Sequence, residues 1–268
     1  MAYEAEKRII LAHQRALQTV RERIDAYALR TWNGLGSWRD ADIDRFVANI
    51  VPLVESGQKQ TAQLTNAYLD SIARIAGMPV PPKAAIATEL RGVPLVEVYR
   101  RPAQTVWYQL SQGVPLDEAV RIGGQRLSSM VNMDMQMSNV RQSFERISQD
   151  DRIIGYERVL SGGESCALCA IAADQLYHKA DLMPIHDNCN CDVAPVYASN
   201  ADAMQSIRDE RTSDVLAQLE EQGVAYSDFS SGSGGNKSAM RGVRVNTHGE
   251  IGPVLGWADQ AFRGPADL

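Results

Sequence analysis

From Tyr3 to about Arg30 the positions Ile10, His13, Leu17, Val20, Ile24 and Tyr27 recur at alternating spacings of three and four. That period predicts an amphipathic helix with a narrow buried stripe. Its one polar member, His13, is expected to be a satisfied core or boundary residue. Asn33-Gly-Leu-Gly36 breaks the pattern, and Ser37 with Asp40 offers a capping arrangement for a second helix. This stretch carries Ile43, Phe46, Val47, Ile50 and Val54, then resumes after Gly57 with Leu64, Tyr68, Ile72 and Ile75. A helical hairpin or small bundle over residues 1–78 follows.

Pro79-Val-Pro-Pro82 ends it, because consecutive prolines remove amide donors and hold the chain extended. Within 79–150, Arg101-Pro102 is expected to open a short helix that runs through Trp107 and Leu110 and stops at Gly113. Pro115, Asp117 and Glu118 then begin a long one with Leu127, Val131, Val140, Phe144 and Ile147. Met130, Met133, Met135 and Met137 lie along it and read as core filler.

After Asp150-Asp151 the pattern changes character. Ile153 to Leu160 is rich in β-branched and aromatic residues and reads as a strand, with Ser161-Gly-Gly163 as a tight turn. A short alanine-rich helix is expected near Ala170 to Leu176, and a second short strand over Val193 to Val196. Beyond this 151–197 element, 198–226 contains one more amphipathic helix, Asp202 to Gln222, and 227–240 is a Ser/Gly-rich linker. The last segment, 241–268, carries Trp257 and Phe262. Apolar residues after such a linker need a surface to bury against, either this protein's own body or a partner's, and of the two we expect a partner's. The fold class expected is mainly α with a small α+β element: an N-terminal helical bundle, a Cys/His-rich knuckle-like element and an extended C-terminal docking tail.

All four cysteines fall in that element, as Cys166-Ala-Leu-Cys169 and His186-Asp-Asn-Cys189-Asn-Cys191. Paired thiols separated by a loop from a second pair match the way tetrahedral zinc collects ligands. Cys189 and Cys191 point to the same side of an extended chain, so both can face one metal. His186 is a fifth candidate for four positions, and an Asp187-Asn188 turn that swings it inward would leave one cysteine, most easily Cys191, as a neighbour of the site. A disulfide pair and free thiols with a packing role compete with structural zinc. So, formally, does a catalytic Cys166 with His178 or His186 as base, although no Asp or Asn can be assigned to orient either histidine. No catalytic or organic-cofactor residues are assigned.

Composition narrows the function. With 27 basic and 33 acidic residues the net charge is −6, which argues against a general nucleic-acid binder. A zinc-knuckle module that contacts single-stranded nucleic acid is a further alternative, but acidic residues surround the cysteines, a poor match for phosphates. The locally basic window Lys83 to Arg126 reads as a solvated or partner-facing surface, with contact to DNA as its alternative. No apolar run approaches the roughly 20 residues of a membrane span, and the charged N-terminus does not read as a signal peptide, so synthesis in a reducing cytoplasm is expected.

The run Tyr156-Glu-Arg-Val-Leu-Ser-Gly-Gly-Glu-Ser-Cys-Ala-Leu-Cys, then Tyr177, then Asp181-Leu-Met-Pro-Ile-His-Asp-Asn-Cys-Asn-Cys and Pro195, resembles the phage head-morphogenesis family named after the F protein of phage Mu. The resemblance covers roughly Tyr99 to Tyr197. Its most specific part is the cysteine pair with the His-x-x-Cys-x-Cys return; Tyr99-Arg-Arg-Pro102 and Thr247-His-Gly-Glu-Ile-Gly-Pro-Val-Leu255 also look like actinobacteriophage members. It implies a minor virion protein at the portal vertex, inside the head and assembled in the bacterial host cytoplasm. Such a protein would act in assembly, genome packaging or DNA ejection, with the portal protein, and the major capsid or scaffold protein, as partners. Members of this type are also labelled capsid maturation proteases, a reading that the residues themselves do not supply.

Overall fold

The computed structural model describes residues 2–80, 84–87, 90–161, 165–173, 175–221 and 243–257. Four helices carry most of them: α1 Ala2–Asn33, α2 Asp40–Ile75, α3 Leu95–Ser111 and α4 Leu116–Ile147. At 1.5 Å per residue, α1, α2 and α4 each run about 50 Å, long enough to serve two cores. At one end Trp32, Phe46, Ile50, Val98, Val106 and Leu127 pack together. At the other Ile10, Tyr68, Ile72, Met137 and Val140 pack under a small sheet. The mainly helical architecture and the small α+β element are as the sequence implies.

Local differences have physical reasons. In α1 the buried stripe passes from Ile24 to Ala28 and Trp32, leaving Tyr27 exposed, as a 3.6-residue period requires. Ser37 does not cap α2: its hydroxyl meets the Asp42 carboxylate, and Arg39 is the N-cap with no side-chain bond. Gly57 does not interrupt α2. A Cβ there would lie 2.9 Å from Met135 Sδ and 3.0 Å from Ile24 Cγ1, so the glycine lets three helices approach. α3 begins at Leu95 after Pro94, seven residues before Pro102, which sits inside it. The stripe Val98, Tyr99, Ala103, Val106 spans the proline, and its burial offsets one missing backbone bond. The four core-facing methionines are buried, as expected.

The sheet has the order β2-β1-β3, with β1 Ile153–Val159 central and antiparallel to both β2 Leu176–Tyr177 and β3 Asp192–Tyr197. The alanine-rich helix α5 is Ala167–Ala172, earlier than expected, because Leu176 and Tyr177 pair with β1 and Tyr177 stacks on Tyr156 at 5.1 Å. Helix α6, Ala201–Glu221, covers the sheet and also touches α1.

The described part of the C-terminal segment lies on the first of the two surfaces considered for it, this protein's own body. Residues 243–257 form a hairpin, β4 Val243–His248 and β5 Gly252–Trp257, seated on this chain's own body. Ile185 pairs with Val254: Ile185 N–H donates to Pro253 O at 3.2 Å, and Leu255 N–H to Ile185 O at 2.7 Å. The linker 227–240 and Phe262 lie outside the described residues.

Candidate metal centre

The cysteines arrive on two segments. β1 ends at Val159, the expected turn at Gly162 and Gly163 lies outside the described residues, and Cys166 is the N-cap of α5 with Cys169 one turn on. The return strap from Met183 to Cys191 then brings His186, Cys189 and Cys191 alongside. Asn188 has φ 57°, the left-handed conformation that Asn tolerates, and this bend swings His186 toward the first pair.

His186 Nε2 lies 2.8 Å from Cys169 Sγ and 3.3 Å from Cys166 Sγ, and Cys169 Sγ lies 4.0 Å from Cys189 Sγ. The five candidates thus form two triads, Cys166–Cys169–His186 and Cys169–Cys189–Cys191, joined at Cys169, with all donors of a triad within 4.8 Å of one another. Tetrahedral zinc with sulfur bonds of about 2.3 Å places its sulfurs about 3.8 Å apart, close to the 4.0 Å between Cys169 and Cys189, while the five donors close up as two groups of three and not as one group of four. The His186 Nδ1 faces Asp187 O at 2.6 Å, which assigns its proton there and leaves Nε2 toward the sulfurs. All four cysteines are free thiols.

The protons in the cluster are unevenly shared. A hydrogen bond from Cys169, then those with His186, hold the Cys166 thiol down at about 4 against burial. Burial pulls His186 down, but its bond to Cys166 and the charges of Cys189 and Cys166 lift it to about 9. Hydrogen bonds to Cys166, Cys189 and Cys191 push Cys169 well up, while those from Cys169 and Cys191 hold Cys189 well down. Burial and mutual hydrogen bonding thus pull the thiols of one cluster in opposite directions, Cys166 and Cys189 down and Cys169 up.

Three residues that the sequence reading passed over complete the surroundings. Arg158 of β1 is fully buried; its Nη1 lies 3.6 Å from Cys189 Sγ and its Nη2 donates to Pro184 O. Gln136 of α4 donates to Cys191 O at 2.7 Å. Asp192, next to Cys191, accepts from His13 Nδ1 at 2.6 Å and from Asn139 Nδ2 at 3.3 Å. His13 stacks on Tyr68 with centroids 4.2 Å apart, so it is a satisfied core residue, as expected. One signal for Arg158 was available: alternation along β1 puts it on the face of Tyr156 and Leu160, where a lone charge needs a partner.

His178 is exposed and accepts from Ala180 N–H in its own turn, away from the cysteines. Two cavities of about 200 and 330 Å³ lie between α1 and the loop amides of Asn188 and Asn190, and none of the five donors lines them. The basic window is part buried and part surface. Arg91 is buried against Asp134 at 2.5 Å, Arg101 grips Glu250, and Arg121 and Arg100 pair with Glu118 and Asp44. Lys83 lies outside the described residues.

With this geometry in view, the family model for VG15 protein matches residues 4–214, which take in the four long helices, the sheet and the whole Cys/His element. The chain belongs to the VG15 family. VG15 is a phage-associated viral gene family, so the chain is a viral protein of phage type. No curated protein and no solved structure matches it. No helix among the described residues is long and apolar enough to cross a membrane.

Proposed function

We propose that this VG15 protein is a minor structural protein of a tailed-phage head, bound at the portal vertex inside the capsid and acting in head assembly, genome packaging or DNA ejection. The observation that carries it is the match to a phage family over residues 4–214. The likeness of the cysteine pair and its His-x-x-Cys-x-Cys return to the Mu F-protein family supports the finer assignment.

The cysteine element has a structural part in this reading. Cys166, Cys169, His186 and Cys189 hold one zinc ion, and Cys191 stays a protonated neighbour. Three thiolates and a neutral imidazole around a dication leave one negative charge, which the buried Arg158 balances; four thiolates would leave two. Bound there, zinc supplies directed bonds that tie α5 to the strap, a region whose six-residue helix and two-residue strand are too small to hold themselves.

One observation favours a second reading, a capsid maturation protease: Cys166 stands at the start of α5, 3.3 Å from an imidazole. The same nitrogen lies closer to Cys169, and a backbone carbonyl, not a carboxylate, holds the other ring nitrogen, a pattern better suited to a donor set than to a nucleophile and base.

Co-expression with the portal protein and the major capsid protein of the same phage tests both. The structural reading expects co-purification with portal rings and uncut capsid protein. Absence from both portal rings and assembled heads would overturn it. Capsid cleavage that stops with Cys166→Ala while the fold survives would establish the protease instead.

A further inference from the structure

The C-terminal hairpin reaches both halves of the donor set. β5 packs against α5, which carries Cys166 and Cys169. It also pairs with Ile185, the residue before His186, through two backbone hydrogen bonds of 3.2 and 2.7 Å. Ile251, Val254 and Leu255 are buried in this contact. On the opposite side the strap is held by α4: Ser129 Oγ donates to Asp187 at 3.1 Å and Gln136 to Cys191 O at 2.7 Å. His186 thus sits on a segment gripped between α4 and the hairpin.

The hairpin has its own anchor, at its tip. Glu250 accepts two bonds from Arg101 of α3, at 2.9 and 2.6 Å, and lies 3.5 Å from Arg91. Gly252 follows with φ 88°, a conformation that needs glycine, and places the tip against the arginines.

We propose that the hairpin is a clasp on the metal centre, so that its docking and zinc loading are one coupled equilibrium, with Glu250 and Arg101 as positioning residues for His186. The inference rests on the zinc reading above. A docked hairpin holds the strap against α5, where His186 meets Cys166 and Cys169. By reciprocity, zinc that fixes these two segments holds the surface on which the hairpin docks. Loss of metal then frees the C-terminal segment, and reloading recaptures it.

The test uses the full chain. Zinc affinity is measured by chelator competition for the wild type, Glu250→Arg and the charge-swapped R101E/E250R, and amide exchange at Leu255 is followed with zinc bound and after chelation. The clasp predicts that E250R weakens zinc binding by about tenfold, that the swap recovers most of it, and that chelation accelerates wild-type exchange at Leu255 by about the same factor. Leu255 protection that is equal with and without zinc overturns the clasp whatever the variants do. So does E250R binding zinc as tightly as wild type with its Leu255 amide exchanging freely. A wild-type protein that takes up no zinc overturns the metal reading and the clasp together, which separates the two failures.

Discussion

Arg158 is the residue that gives the cysteine cluster its sign. A guanidinium shut away from water needs anionic partners, and the acceptors it meets are a sulfur and a backbone carbonyl. Replacing it by Met keeps the volume and removes the charge. Arg158→Met should weaken zinc binding about ten- to a hundredfold in a chelator competition, with the sheet still formed. The charge balance also ranks the sulfurs. Cys189→Ser should abolish stoichiometric zinc uptake, whereas Cys191→Ser should leave about one zinc per chain; equal losses would return Cys191 to the ligand set. The sequence displayed the donors themselves, because thiols at such spacings have few other uses. It hid Gln136 and Asp192, whose roles depend on contacts between segments tens of residues apart, and marked Arg158 only through the alternation of β1.

At the scale of elements, helix periodicity was legible wherever one face is buried and the other wet. It misled where packing overrides a local breaker. Gly57 and Pro102 both read as punctuation, and both lie inside helices because neighbouring elements press against them. Gly123 of α4 is the sharpest case: a Cβ would lie 2.7 Å from Trp32 and from Val106 and 2.9 Å from the Pro102 carbonyl oxygen. Gly123→Ala should therefore destabilise the chain by about 1–3 kcal/mol in denaturant melts, although alanine is the better helix former. The β1–α6 contact carries a pH dependence. Burial raises the Glu157 carboxyl to about 7, against the pull of Arg208 and with help from Asp209. A carboxyl raised above its unfolded value of 4.5 gives stability that is complete below that value and lost as pH rises through about 7. Stability should thus fall by about 2 kcal/mol between pH 5 and 8, and Glu157→Gln should remove that part of the slope.

Across the whole molecule, three long helices thread two cores, and one of those cores is closed by the small sheet, α5, α6 and the hairpin. The polar residues on α4 knit these parts: Asp134 takes Arg91 and Tyr99, Asn139 takes Thr65 and reaches Asp192, and Arg146 takes Asp70 and Asn66. That seam was not legible from periodicity, since buried charges and amides look like a solvated face until their partners are placed. The intramolecular seat of the hairpin was equally hidden, because it depends on the edge at Ile185 and the arginines around Glu250. In this arrangement the cysteine cluster is the joint between the two-residue strand, the short helix and the strap, so its occupancy decides whether that side of the molecule is rigid. The most direct measurement is elemental analysis of zinc, with thiol titration before and after chelation, on protein purified under reducing conditions. The account predicts about one zinc per chain and thiols that become reactive only when a chelator removes it, with the 151–197 element losing its fold. No metal and four thiols that titrate freely in a fully folded chain would contradict it.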